Sequence, residues 1–309
     1  MPERIIFNFP TNLGDTILAL PVLDKVKSSY PQAKITAIVS PKTKEFLLRN
    51  NFIDDVAVFD KRWRIREKMR FCYDLKGKYD LIIDFKNSLL PLLLGIRRRT
   101  PFWRRSCKDM HMKDEYLNLV RKITPQNTVI KKSSFLLTPQ EEEKWQRENI
   151  PPSIFVGCSS RSAVKRYPYL KEVIIDLVKD YPLVIVGRNE DREFYKDILK
   201  IGGVIDLAGK TTMSEVFFLL ENYAVLFLGV DSALLHLASY IDIPIVAIFG
   251  PTSFLRYGPW STKSIVLRKE NLLCSPCGRS ICPYNSDCMK ISPHRVIEAV
   301  RKLLSYERS

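Results

Sequence analysis

Short β-rich runs of almost wholly apolar residues recur along this chain, each followed by residues whose apolar positions return at helical spacing. They lie at 4–9, 34–39 and 79–84 in the first half, and at 154–157, 183–186, 204–207, 225–228 and 245–249 in the second. A strand that is apolar on both faces offers no side to water, so helices must cover both. Strands separated by helical stretches form βαβ units and a parallel sheet. Asp15 opens the first such stretch, with Ile17, Leu18, Leu20, Val22, Leu23 and Val26, and others begin near Tyr169, Asp191 and Ser214. The predicted fold class is α/β, with two Rossmann-like doubly wound domains facing a central cleft. A chain of 309 residues is long enough for two domains with separate cores. Thr138-Pro139 followed by Glu141, Glu142 and Glu143 reads as a helix start, and Pro151-Pro152 as a stiff joint. The domains are therefore expected at 1–150 and 151–309.

At 46% hydrophobic and 27% charged residues, the composition is that of a folded globular protein. The start, Met1-Pro2-Glu3-Arg4, does not resemble a secretory signal. The longest apolar stretch, 89–96, is broken by Pro91 and Gly95 and falls short of the roughly 20 residues that span a bilayer. A cytoplasmic location is expected. Lys and Arg number 49 against 34 Asp and Glu, a net charge of +15. Much of the excess is in 61–70, in Arg97-Arg98-Arg99 and in Arg104, Arg105 and Lys108. Such blocks attract polyanions or serve solubility, and charge alone does not choose between nucleic acid, anionic lipid and phosphorylated sugars.

Ligands of open α/β sheets bind beyond the carboxyl ends of the strands, so the loops that follow strands carry the candidate chemistry. Asp15, after the first strand, reads either as a helix N-cap or as a general base. The loop from Ser159 and Ser160 through Arg161 to Lys165 and Arg166 combines hydroxyls with cations, which suits a phosphate or diphosphate. In Gly229-Val230-Asp231-Ser232-Ala233 an apolar strand turns into a helix, bringing a carboxylate, a hydroxyl and free backbone N–H groups to one helix N-terminus. His236, on the same helix, reads as a packed core residue or as part of that site.

Several ordered motifs resemble the ADP-heptose:lipopolysaccharide heptosyltransferases of glycosyltransferase family 9. They are Asn12-Leu13-Gly14-Asp15, Lys165-Arg166-Tyr167-Pro168, Leu207-Ala208-Gly209-Lys210-Thr211, Gly229-Val230-Asp231-Ser232, His236-Leu237-Ala238 and Phe249-Gly250-Pro251-Thr252. The resemblance implies a GT-B fold, an acceptor-side N-terminal domain and a C-terminal domain that binds the nucleotide sugar. It implies an inverting transferase that moves heptose, or a related sugar, from an ADP-sugar to a lipopolysaccharide core or lipid-linked acceptor. Asp15 would be the base, with Asn12 and Gly14 on the acceptor side. Ser159, Ser160, Lys165, Arg166, Asp231, Ser232, Ala233 and His236 would hold the donor, and Thr211 and Thr212 would lie near the nucleoside. Catalysis would need no cofactor, in keeping with the absence of an Asp-x-Asp motif from the sequence. The enzyme would sit peripherally on the anionic inner face of the inner membrane. Ala233 stands where the family commonly has glycine, and the segment after Asn87 is shorter than the family's arginine-containing acceptor segment. A non-catalytic sugar-nucleotide or polyanion-binding protein is the alternative. Nucleic-acid binding, with Trp63 or Trp103 stacking on bases, is not expected.

Of the 7 cysteines, Cys274, Cys277, Cys282 and Cys288 fall close together, and relatives often carry cysteines here. Four thiols match the ligand count of a structural Zn or Fe site, and a reducing compartment favours metal over disulfides. A labile disulfide and free packed thiols are the other readings.

Overall fold

The computed structural model describes residues 1–102, 104–158 and 160–305. The chain forms two compact units, Met1–Leu136 and Leu137–Ser309. In the first, strands β1 (Arg4–Asn8), β2 (Lys34–Val39), β3 (Asp55–Val58), β4 (Leu81–Asp84) and β5 (Arg98–Arg99) make a 5-stranded sheet in the order β3-β2-β1-β4-β5. In the second, β6 (Ser153–Gly157), β7 (Leu183–Ile185), β8 (Val204–Asp206), β9 (Ala224–Val230), β10 (Ile245–Phe249) and β11 (Ser264–Arg268) make a 6-stranded sheet in the order β11-β10-β9-β6-β7-β8. Every strand pair in both sheets is parallel, as the apolar runs require. Among the described residues no helix is long and apolar enough to cross a membrane.

Each sheet reverses its winding once. The first chain half runs outward from β1 to β2 and β3 before returning to β4 on the other side of β1, and the second does the same between β6 and β9. Loops leaving adjacent strands at such a reversal diverge to opposite faces and leave a crevice. Those crevices open beyond Asn8 and Asp84 in the first unit, and beyond Gly157 and Gly229 in the second.

Alternation sorts the side chains of the second sheet. Ile154, Val156, Leu226, Leu228, Val246 and Ile248 face one core with Val173, Ile174 and Leu177 of the helix Leu170–Leu177, and with Val296, Val300 and Leu303 of the helix Pro293–Ser305. Burial of this many aliphatic side chains, at about 1.5–3 kcal/mol each, is what holds the helices to the sheet.

The division between units falls before the helix Pro139–Glu148, not at Pro151. Thr138 caps that helix in a reciprocal pair with Glu141. Trp145 is buried and its indole N–H donates to Glu215 at 3.1 Å, which ties the helix to the second unit. The sequence pattern marks the helix but not its partner, because the tie is one side chain reaching across 70 residues. Strands β3, β5 and β11 were not foreseen. They are sheet-edge segments with few buried residues, and β5 is two arginines long.

Gly157 and Gly229 face each other across β6 and β9. A Cβ on Gly229 would lie 2.3 Å from Phe227 Cε1, and one on Gly157 would lie 2.7 Å from Phe227 Cζ. The phenyl ring thus occupies the space of two missing side chains at the reversal. Phe227 is fully buried and cannot yield. Gly229→Ala is expected to destabilise the protein by about 1–3 kcal/mol through overpacking, measured as a lower midpoint in denaturant unfolding. An unchanged midpoint would show that the ring can move.

Candidate functional site

In the second unit, β6 leads to a loop whose single helical turn, Ala163–Lys165, ends on the lysine, and β9 leads to Asp231. Lys165 Nζ donates to Asp231 Oδ2 at 2.6 Å, so the pair closes over the sheet reversal. Asp231 is 7% exposed. Its other oxygen lies 3.5 Å from His236 Nε2. Burial alone would raise the Asp231 carboxyl, but the hydrogen bond and charge of His236 and those of Lys165 together outweigh it and hold the group well below the usual carboxylate range.

Asp231 is not the helix cap. Ser232 caps the helix Ala233–Ile241 in extended conformation, and its Oγ accepts from the Leu235 N–H at 3.4 Å. Asp231 is one residue outside the helix, free to turn toward Lys165. His236 is buried behind it, stacked on Trp260 at 6.0 Å between ring centroids, and Nδ1 has no hydrogen-bond partner. Ala233 begins the helix next to these groups.

The other donor-side candidates divide. Ser160 Oγ accepts from the Ser162 N–H at 3.4 Å within the Lys165 loop, while Ser159 lies outside the described residues. Arg166 turns away from Asp231, 4.0 Å from Asp191 Oδ1 and over the Phe194 ring. Lys165 ends the helical turn and Arg166 leaves it in extended conformation, and the two side chains take different partners. Thr212 caps the helix Met213–Tyr223 and is committed to Glu215, whose carboxylate also takes Lys144 and Trp145. Thr211 is half-buried beside it, beyond the edge strand β8. Gly209, in the same loop, has φ +73°, and a Cβ there would meet Asn189 Cα at 2.7 Å, so this turn admits only glycine. At the ends of β10 and β11 a cavity of about 400 Å³ is bounded by Phe249, Thr252, Phe254 and Arg268. The Thr252 hydroxyl is buried without a partner.

In the first unit, the helix Leu13–Ser29 starts two residues before Asp15, with Asn12 as its N-cap residue. The capping alternative for Asp15 therefore falls away. Asp15 lies in the first turn, half-buried, and accepts from Asn12 Nδ2 at 3.3 Å. Gly14 precedes it in the same turn. One strand over, Asp84 ends β4 fully buried. Its Oδ1 accepts from Asn8 Nδ2 at 2.8 Å and the Lys86 N–H at 3.0 Å, and its Oδ2 from the Ser88 N–H at 2.7 Å and Ser88 Oγ at 2.9 Å. Arg104 Nη2 donates to the Asp84 carbonyl at 2.7 Å, while Nε is buried without a partner. Burial pulls the Lys86 ammonium below the usual lysine range, opposed by Asp84. Sequence reading missed Asn8, Asp84 and Lys86, and had Arg104 only as part of a cationic block. The available signal was a polar residue ending each of two apolar strands that the reversal makes neighbours.

Cys274, Cys277, Cys282 and Cys288 line one small cavity of about 30 Å³ with Val164 and Pro251. Burial, then the nearby Cys282, Cys277 and Cys274, push the Cys288 thiol up. The donor chemistry suits a thiolate metal, yet the spacing does not: among the described residues no three His, Cys, Asp or Glu side chains converge as a ligand set. All four thiols are free.

A family model described as glycosyltransferase family 9 (heptosyltransferase) matches residues 68–286. The lipooligosaccharide heptosyltransferase 2 of Campylobacter jejuni subsp. jejuni is 27% identical over 318 residues, 97% of this chain and 99% of that protein. The solved ADP-heptose LPS heptosyltransferase II of Escherichia coli superposes with a TM-score of 0.79 at 22% identity, covering 99% of this chain and 100% of that one. The iron-containing dodecameric heptosyltransferase TibC, solved in complex with ADP-D-β-D-heptose, superposes with a TM-score of 0.61 at 16% identity, over 98% of this chain and 76% of that one.

Asp231 keeps its proton affinity low only in the folded chain, so its contribution to stability is present above the usual carboxylate range and lost as pH falls through and below it. Asp231→Asn is expected to lose about 1–3 kcal/mol at pH 7, with the deficit shrinking below about pH 4. Denaturant unfolding across pH measures it. A deficit independent of pH would show that the charge is not what stabilises.

Proposed function

As this chain belongs to glycosyltransferase family 9, the heptosyltransferase family, and has the GT-B fold of its structural relatives, we propose that it transfers heptose, or a closely related sugar, from an ADP-sugar to a lipopolysaccharide core acceptor. The observation that carries this reading is the Lys165–Asp231 pair beyond the sheet reversal of the second unit, beside the N-terminus of the helix Ala233–Ile241. Departure of a nucleoside diphosphate develops negative charge. An ammonium and unsatisfied helix N–H groups stabilise that charge directly.

In the proposed reaction the acceptor hydroxyl oxygen forms a bond to the anomeric carbon as the bond from that carbon to the diphosphate oxygen breaks, which inverts the centre. The hydroxyl proton passes to Asp15. A carboxylate is a weak base for an alcohol, so the proton leaves late, once bond formation has made the oxygen acidic. Asp231 does not take it: buried between Lys165 and His236, it serves to hold the lysine until phosphate oxygens compete for the ammonium. Ser160, Ser232 and the Ala233 N–H would complete the diphosphate site. The buried His236 would act through Asp231, and Arg166 and Thr212 are positioning residues for their loops. On the first unit Asn12 orients Asp15, and Lys86 and Arg104 would meet acid groups of the acceptor. The chain would act in the cytoplasm at the inner membrane surface, where such an acceptor is anchored.

The reaction as proposed passes through no metal. The four clustered thiols are proposed to hold a structural Zn or Fe, which would have to draw them closer than they stand. What supports this is the cavity that the four thiols share.

Asp15→Asn is expected to lower kcat about 100- to 10,000-fold with binding of ADP-heptose nearly unchanged, read from transfer assays beside calorimetry. Transfer at the wild-type rate would remove Asp15 from its role. Purified protein should carry about one equivalent of Zn or Fe per chain. Elemental analysis finding neither metal would leave the thiols as packing groups.

A further inference from the structure

The first unit carries an apolar surface that its own core does not use. On the helix Ile65–Leu75, Phe71, Cys72 and Leu75 pack inward against Ile6, Ile38 and Ile82. Ile65, Met69 and Tyr73, spaced i, i+4, i+8, form a second stripe that is 72%, 66% and 79% exposed. Leu90 packs inward onto the same cluster from the short helix Leu90–Leu93, while Leu89, Leu92 and Leu93 stand 61%, 52% and 58% exposed. A hydrogen bond from the Gly77 N–H to the Leu94 carbonyl, at 3.5 Å, stitches the ends of these two helices together. Two neighbouring elements each turn three large apolar side chains to water. Scattered single exposures are ordinary; a paired ridge marks an interaction surface.

Charge selects the partner. Arg66 and Arg70 follow the stripe residues Ile65 and Met69 one position later and border them, and Arg62, Arg64, Lys76 and Arg97 are exposed around the ridge. Asp60 pairs with Arg62 and Asp74 with Arg70, and Glu67 accepts from the Arg64 N–H, so the net positive charge at the ridge comes from Arg64, Arg66, Lys76 and Arg97, with Arg70 able to exchange its long 3.9 Å contact for a headgroup. An apolar ridge ringed by cations complements an anionic lipid surface, where acyl chains receive the ridge and headgroups the cations. An 11-residue helix is about 16 Å long, too short to cross a bilayer and suited to lie in its interface.

We propose that Ile65, Met69, Tyr73, Leu89, Leu92 and Leu93 insert into the interfacial layer of an anionic bilayer, with Arg66, Arg70 and Arg97 on its headgroups. This rests on the lipid-anchored acceptor proposed above and names the surface that meets its membrane. The orientation follows: the helix Ile65–Leu75 lies in the membrane plane.

The test uses the full chain with vesicles of phosphatidylcholine alone and of phosphatidylcholine with phosphatidylglycerol, without donor or acceptor. The wild type is expected to co-sediment with the anionic vesicles and not the neutral ones. Ile65→Ser, Met69→Ser and Tyr73→Ser together should weaken binding about tenfold or more, and Arg66→Ser or Arg70→Ser about fivefold each. All substituted side chains are exposed, so circular dichroism and ADP binding should stay unchanged. Equal binding to neutral vesicles, or a triple variant that binds like the wild type, would overturn the proposal. So would a lipid-free dimer that the triple variant abolishes, which would assign the ridge to a second copy of the chain. Transfer to a detergent-dispersed acceptor does not depend on vesicle binding, so failure here leaves the proposed reaction standing.

Discussion

A parallel strand flanked by helices has no face left for water, and the arrangement of this molecule follows from that constraint. Ile5, Ile6 and Phe7 of β1, like Phe227 and Leu228 of β9, are fully buried. Polar chemistry is thereby expelled from the body of each sheet to the carboxyl ends of its strands. Where neighbouring strands feed loops to opposite faces, the ends are open. Asn8 and Asp84 sit at one such place and the Lys165–Asp231 pair at the other.

The two places are built on opposite electrostatic plans. Asp231 is a charge held in a buried setting by the Lys165 ammonium and the His236 imidazole, so its state depends on both remaining where they are. Asp84 is satisfied mainly by neutral donors, from Asn8, Lys86 and Ser88. Its oxygens are occupied, so it cannot follow Lys86 or Arg104 as they move. An ion pair can exchange its partner for another anion; a carboxylate fixed by four neutral bonds acts as part of the scaffold. This difference separates the exchangeable lysine of the second unit from the fixed aspartate of the first.

The fold was legible in the sequence because burial leaves a period that one can read. The runs at 34–39 and 245–249 are β2 and β10 to the residue. Three of the four edge strands were not legible: β3 and β11 have few buried residues, and β5 hides in an arginine block, whereas the edge strand β8 is the run at 204–207. Lys165 and Asp231 were legible as strand-end residues, and their contact was not, since 66 residues separate them. Gly229 reads in the sequence as the first residue of the turn into the helix; it lies within β9, and its reason is Phe227, a residue two positions earlier whose ring needs the space. The cap at Ser232 in place of Asp231 and the outward turn of Arg166 depend on single dihedral choices, which no periodicity records.

The cysteine loop has a consequence for the stiffness of the strand ends around Lys165. It is pinned to the turn after β10 by the Ser275 Oγ bond to the Gly250 carbonyl and the Gly278 N–H bond to the Pro251 carbonyl, both 2.7 Å. A Cβ on Gly250 would lie 2.8 Å from Cys288 Sγ, so the sulfur rests directly on the backbone. The cavity these thiols line shares Val164 as a wall, and Val164 is one peptide bond from Lys165. The loop is thus a strut between two strand ends, bearing through Val164 on the turn that carries Lys165.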